Sequence, residues 1–140
     1  MAALNRRHRG KKGPTDVLSF PLEEALAGPL SKNSRAPWTS HRKALGREIE
    51  IRRKHLGLPA LALGDVVICH PVARAQAKEF GETLQEAYAR LLAHGLAHLL
   101  GYDHERGRAW QRAMRRVEGA MLAASQEAVW VARALRKTSF

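Results

Sequence analysis

The sequence predicts an α/β (α+β) fold in which a small mixed sheet packs against helices. Three observations carry that prediction. Two short runs read as strands, Val17-Leu18-Ser19-Phe20 and Leu63-Gly64-Asp65-Val66-Val67-Ile68-Cys69. A long segment between Thr83 and Gly101 repeats its apolar residues at helical spacing, and a second helical pattern follows from about Arg106.

The first strand lies between a turn-forming stretch, Gly10-Lys11-Lys12-Gly13-Pro14-Thr15-Asp16, and the closing Pro21. Residues 24 to 62 form a basic insertion: Gly28, Pro29, Ser31, Ser34, Pro37 and Ser40 are mixed there with many cationic side chains, the composition of a connecting segment more than of a packed element. Only Ile49 and Ile51 within it hint at a strand or a helix turn. The second strand is marked by its β-branched run, and His70-Pro71 ends it or opens the next helix.

Val72 to Phe80 reads as a helix stopped at Gly81, and Thr83 followed by Glu86 is a capping box that starts another. In that helix Leu84, Ala87, Tyr88, Leu91, Leu92, Gly95 and Leu99 share the apolar stripe, and Gly101 supplies the left-handed stop. The last helix carries Trp110, Met114, Val117, Met121 and Leu122 on one face, with Arg108, Arg112, Arg115 and Arg116 elsewhere.

With 140 residues the chain is expected to form one domain, residues 1–140. Its 24 Lys and Arg against 13 Asp and Glu give a net charge of +11, which predicts a polyanionic partner, nucleic acid first. Most of that excess falls in the first 57 residues. The lone Cys69 excludes an internal disulfide framework and a cysteine-only zinc site. No stretch approaches the roughly 20 apolar residues of a membrane span, and the basic N-terminus lacks the apolar centre of a secretory signal.

The chemistry is concentrated in His94-Gly95-Leu96-Ala97-His98-Leu99-Leu100-Gly101-Tyr102-Asp103-His104. Residues four apart share a helix face, so His94 and His98 can present two imidazoles to one ion. Gly101 lets the chain leave the helix and bring His104 in as a third ligand. Three imidazoles with an open fourth position describe a catalytic zinc site; a structural zinc would need a fourth protein ligand, for which Cys69 is the candidate. The other histidines, His8, His41, His55 and His70, lack converging spacing and read as surface or turn residues. The spacing is also that of metzincin proteases, but their general base, a Glu after the first histidine, is replaced here by Gly95. Asp103 is a candidate to orient a ligand histidine, or equally a turn residue before His104.

The same segment resembles the signature H-G-x-L-H-L-x-G-Y-D-H of the YbeY family of zinc-dependent endoribonucleases, departing from it only at Ala97. The likeness extends to Leu4-Asn5, to residues 9–21 and to residues 63–69. It implies a metal-dependent endoribonuclease acting on single-stranded RNA, with ribosomal RNA maturation, small-subunit assembly and ribosome quality control as its setting. One Zn2+ per chain would be held by His94, His98 and His104, Arg9 would be the functionally important arginine, and Lys11 and Lys12 are candidate RNA contacts. The expected location is cytoplasmic, or organellar in a eukaryote. The family pattern also places a strand, a helix and another strand before the Leu-Asn pair, so the sheet is expected to be incomplete at the N-terminus, and the insertion is longer than the family's loop. Two other readings compete: a non-catalytic ribosome-associated zinc protein, and a metzincin-like metalloprotease disfavoured by Gly95.

Overall fold

The computed structural model describes residues 1–21 and 63–137, with isolated positions between 43 and 54. Those isolated positions are helical, Ile51 among them, and include a Glu50–Lys54 ion pair at 3.4 Å. The rest of the basic insertion, Ile49 included, lies outside the described residues, as do His41 and His55.

The chain opens with α1, Ala2–Arg9, ahead of the turn-forming stretch, where the sequence reading assigned no element. Its last turn holds Arg6, Arg7, His8 and Arg9, basic side chains that favour the negative end of the helix dipole. Gly10 ends it at φ 65°, returning its N–H to Arg6. Asn5 is buried, and its Nδ2 donates to the Gly13 carbonyl at 2.9 Å, tying the helix to the loop that follows.

Strands β1, Val17–Pro21, and β2, Gly64–Ile68, pair antiparallel, with Val17 opposite Ile68 and Pro21 opposite Gly64. They make the one sheet among the described residues. Pro21, which cannot donate to a ladder, sits at the strand's end. The Cys69 N–H donates to the Asp16 carbonyl at 2.7 Å, extending the register by one contact.

Helix α2, His70–Phe80, begins at His70 with Pro71 in its first turn and ends at Gly81, so His70-Pro71 opens the helix. Helix α3, Leu84–Leu99, has the full reciprocal capping box: the Thr83 hydroxyl accepts from Glu86 N, and Glu86 accepts from Thr83 N at 2.7 Å. A single 3₁₀ turn, His104–Arg106, leads through Gly107 into α4, Arg108–Lys137.

Helix α3 is the hub. On one side Leu91 packs with Val17 and Ala73, so sheet, α2 and α3 share a core; on the other, Ala97 and Leu100 pack with Tyr102, Met114 and Val117 of the following turn and α4. Met114 and Val117 are buried and Arg108, Arg112, Arg115 and Arg116 exposed, as the amphipathic pattern requires. Gly95 is where α3 meets the sheet. A Cβ there would come within 2.6 Å of Val66 Cγ1, and Ser19 Oγ donates to the Gly95 carbonyl at 2.9 Å. Only a residue without a side chain permits that approach. No described helix is long and apolar enough to cross a membrane.

Candidate metal centre

How α3 ends decides where the third histidine goes. Gly101, at φ 89°, donates to the His98 carbonyl at 2.9 Å, and Tyr102 N donates to the Ala97 carbonyl at 3.1 Å. This pair of bonds is the Schellman motif, with the accompanying apolar contact supplied by Tyr102 against Ala97 in the same core cluster. Tyr102 is thereby anchored, and burial pushes its phenol pKa up to about 12. The chain therefore doubles back on the helix end it has just left. Asp103 then caps the 3₁₀ turn, its Oδ1 accepting from Glu105 N at 2.9 Å, and His104 is delivered beside the other two.

One nitrogen from each of His94, His98 and His104 can be chosen so that all three lie within 4.8 Å of one another. The ring centroids are 4.8 Å apart for His94 and His98, 5.3 Å for His94 and His104, and 5.4 Å for His98 and His104. Zinc at about 2.0–2.1 Å from three tetrahedral nitrogens asks for spacings of roughly 3.4 Å, within reach of small side-chain rotations. The protonation chemistry fits too. Burial, followed by repulsion from His94 and His104, lowers the pKa of His98, with Asp103 and a hydrogen bond to the Tyr102 backbone opposing, so the ring is held in the neutral form that binds a cation. His104 Nδ1 is buried without a hydrogen-bond partner. A set of three imidazoles, no thiolate among them, suits a borderline cation such as zinc.

Glu118 of α4 is the site residue that motif spacing missed. Its Oε1 lies 2.7 Å from His94 Nδ1. A carboxylate accepts, so the imidazole proton belongs on Nδ1, which leaves the Nε2 lone pair for an ion. This is the carboxylate–histidine pairing that orients metal ligands, and it falls to Glu118 where the sequence offered Asp103. The Asp103 carboxylate is engaged in its own turn, with Glu105 N and, at 3.5 Å, with Arg106 Nε. It also acts on His98 through its charge. Cys69 caps α2 and is absent from the histidine cluster, so no fourth protein ligand completes the set among the described residues.

Arg9 reaches the same place from the opposite end of the sequence. A cavity of about 390 Å³ is lined by His94 and His98 together with His8 and Arg9, with Asp16, Ser19 and Glu105 also contributing. Arg9 Nη2 donates to Glu105 Oε1 at 2.9 Å, and Lys11 Nζ lies 3.6 Å from the same oxygen. Lys11 and Lys12 are exposed on the loop after α1.

The fold and the site together define a small α+β protein with three histidines clustered as a possible metal site at the end of its central helix. The family model "Endoribonuclease YbeY" matches residues 1–126, and the chain belongs to that family. Among curated relatives of that name, the protein of Leptospira interrogans is 43% identical over 107 residues, which are 76% of this chain and 66% of the relative. The protein of Aquifex aeolicus is 35% identical over 126 residues, 90% of this chain and 63% of the relative. For Myxococcus xanthus the figures are 45% over 105 residues, 75% and 26%. The chain thus spans less than two thirds of the length of these relatives.

Proposed function

We propose that this chain is a zinc-dependent endoribonuclease that cuts single-stranded RNA, acting in ribosomal RNA maturation, small-subunit assembly and ribosome quality control in the cytoplasm or an organelle. The observation that carries the reading is the single cavity lined by both His94 and His98 and by Arg9. Two histidines of the candidate cation-binding set and a guanidinium more than eighty residues away in sequence line one space large enough for a phosphodiester and its flanking sugar.

In this reading His94, His98 and His104 hold one zinc, which when bound supplies Lewis acidity at the scissile phosphate. Arg9 holds the phosphate and offsets the charge that grows on it in the transition state. Glu118 keeps His94 in the tautomer that can ligate. Lys11, Lys12 and the basic N-terminal half guide the strand. Gly95 weighs against the protease alternative on structural grounds: a glutamate there would have to displace the sheet at Val66 before it could serve as a base.

The test is cleavage of a labelled single-stranded RNA by the purified chain, with and without chelator, alongside metal analysis. Zinc-restored cleavage that is lost in His98→Ala supports the reading. Retained zinc with no RNA cleavage under any metal favours the non-catalytic ribosome-associated alternative.

A further inference from the structure

The cation expected to receive the RNA phosphate already has an anion on it. Glu105 follows the third histidine directly, lines the same cavity, and reaches from the 3₁₀ turn to Arg9 at the end of α1, 96 positions earlier in sequence. One oxygen, Oε1, takes both the Arg9 guanidinium at 2.9 Å and the Lys11 ammonium at 3.6 Å. A carboxylate oxygen between two cations occupies the position that a non-bridging phosphate oxygen would take. The side chains remain 34% and 56% exposed for Arg9 and Glu105, so the pair is solvent-screened and readily exchanged. Asp16 and Asp103 also line the cavity, but each carboxylate is committed elsewhere, Asp16 to Val17 N and Gln76, and Asp103 to its turn.

We propose that Glu105 is an internal competitor for the phosphate seat: its carboxylate occupies Arg9 and Lys11 in the free protein and is displaced when an RNA phosphate binds. This rests on the reading of Arg9 as a phosphate contact. Two consequences follow. Monovalent or isolated anions gain little over Glu105 and are held weakly, whereas an RNA strand, anchored at several phosphates along the basic surface, displaces the carboxylate through its high local concentration. Glu105 thereby favours polymeric over mononucleotide substrate.

The experiment measures binding of a short fluorescein-labelled single-stranded RNA, and of a mononucleotide, to the full chain in chelator, so that no cleavage intervenes. Four variants are compared with the unsubstituted chain: Glu105→Gln, Arg9→Ala, the double variant, and Glu79→Gln, which removes one exposed negative charge remote from the cavity. Glu105→Gln is expected to bind RNA about two- to five-fold more tightly, the range an exposed ion pair supports, with a larger relative gain for the mononucleotide. Glu79→Gln should gain less, and the Glu105→Gln gain should shrink when Arg9 is alanine, leaving only the part owed to Lys11. Weaker RNA binding by Glu105→Gln would make the carboxylate an orienting partner of Arg9 and overturn the proposal, as would a gain equal to that of Glu79→Gln or one undiminished in the Arg9→Ala background. If Arg9→Ala binds RNA as well as the unsubstituted chain, the phosphate-contact reading itself fails; if it binds worse while Glu105→Gln is unchanged, only the competitor role fails.

Discussion

His94 and Glu118 meet at 2.7 Å across the α3–α4 interface, an imidazole nitrogen against a carboxylate oxygen. Helix α4 therefore does more than cover the core with Met114 and Val117; it sets the tautomer of the first histidine of the candidate metal centre. Substituting Glu118 with alanine is expected to weaken zinc binding about 10- to 100-fold, the usual cost of removing such a partner. Competition titration against a chromophoric chelator measures it, and an unchanged thermal transition of the metal-free chain separates this effect from misfolding.

Gly95 and Val66 form the second critical contact. Alanine at 95 would gain about 1 kcal/mol of helix propensity on an exposed surface, but here its Cβ would stand 2.6 Å from Val66 Cγ1 and 3.1 Å from Ser19 Oγ. Overpacking of that kind costs about 1–3 kcal/mol. Gly95→Ala should therefore lower the denaturant midpoint, while alanine at the exposed Gly119, whose added Cβ meets nothing within 4 Å, should raise it.

Much of the site was legible along the chain because its geometry is local. His94 and His98 share a helix face by period alone, and Gly101 announces the turn that returns His104. The partners of those residues were not legible, because they depend on how separate elements pack. Periodicity places Glu118 on α4 but says nothing of α4's register against α3; of the two roles the sequence left open for Asp103, its carboxylate takes the turn role, accepting from Glu105 N. Helix α1 was missed because it is short, has Leu4 as its one large apolar residue, and is held by contacts periodicity does not show: Asn5 Nδ2 to Gly13, His8 edge-on to Phe20 and Arg9 to Glu105. The strand at 17–21 fell where the flanking turn residues and Pro21 put it, and that at 64–68 where its β-branched run did, but their antiparallel pairing across a long insertion leaves no mark in either segment.

Asp16 links the start of β1 to α2 and gives the fold an acid-sensitive point. Burial raises its pKa, yet hydrogen bonds from Gln76 Nε2, Val17 N and the Thr15 hydroxyl outweigh it, and the net shift is downward from 3.8. A carboxyl whose folded pKa is depressed binds fewer protons folded than unfolded, so its stabilising contribution is present above about pH 4 and is lost as pH falls through the lower folded value. Asp16→Asn should flatten the stability–pH curve on the acid side of pH 4 and leave the slope near neutrality unchanged, as read from denaturant midpoints across that range.

RNA affinity should fall with salt at a log–log slope of about −0.7 for each phosphate neutralised on a single strand. A chain with net charge +11 is expected to neutralise several. Replacing both Lys11 and Lys12 with alanine should make the slope shallower by one to two such increments, measured by anisotropy titrations at a series of salt concentrations. A flat salt dependence would assign the charge excess to another purpose.

The most direct test of the proposal that Arg9 binds phosphate beside a three-histidine metal site is the cleavage rate of Arg9→Ala measured together with its zinc content. The account predicts one zinc per chain, undiminished, and cleavage of single-stranded RNA slowed on the order of 100-fold or more. Cleavage at the unsubstituted rate, or a loss of zinc in step with the loss of activity, would contradict it.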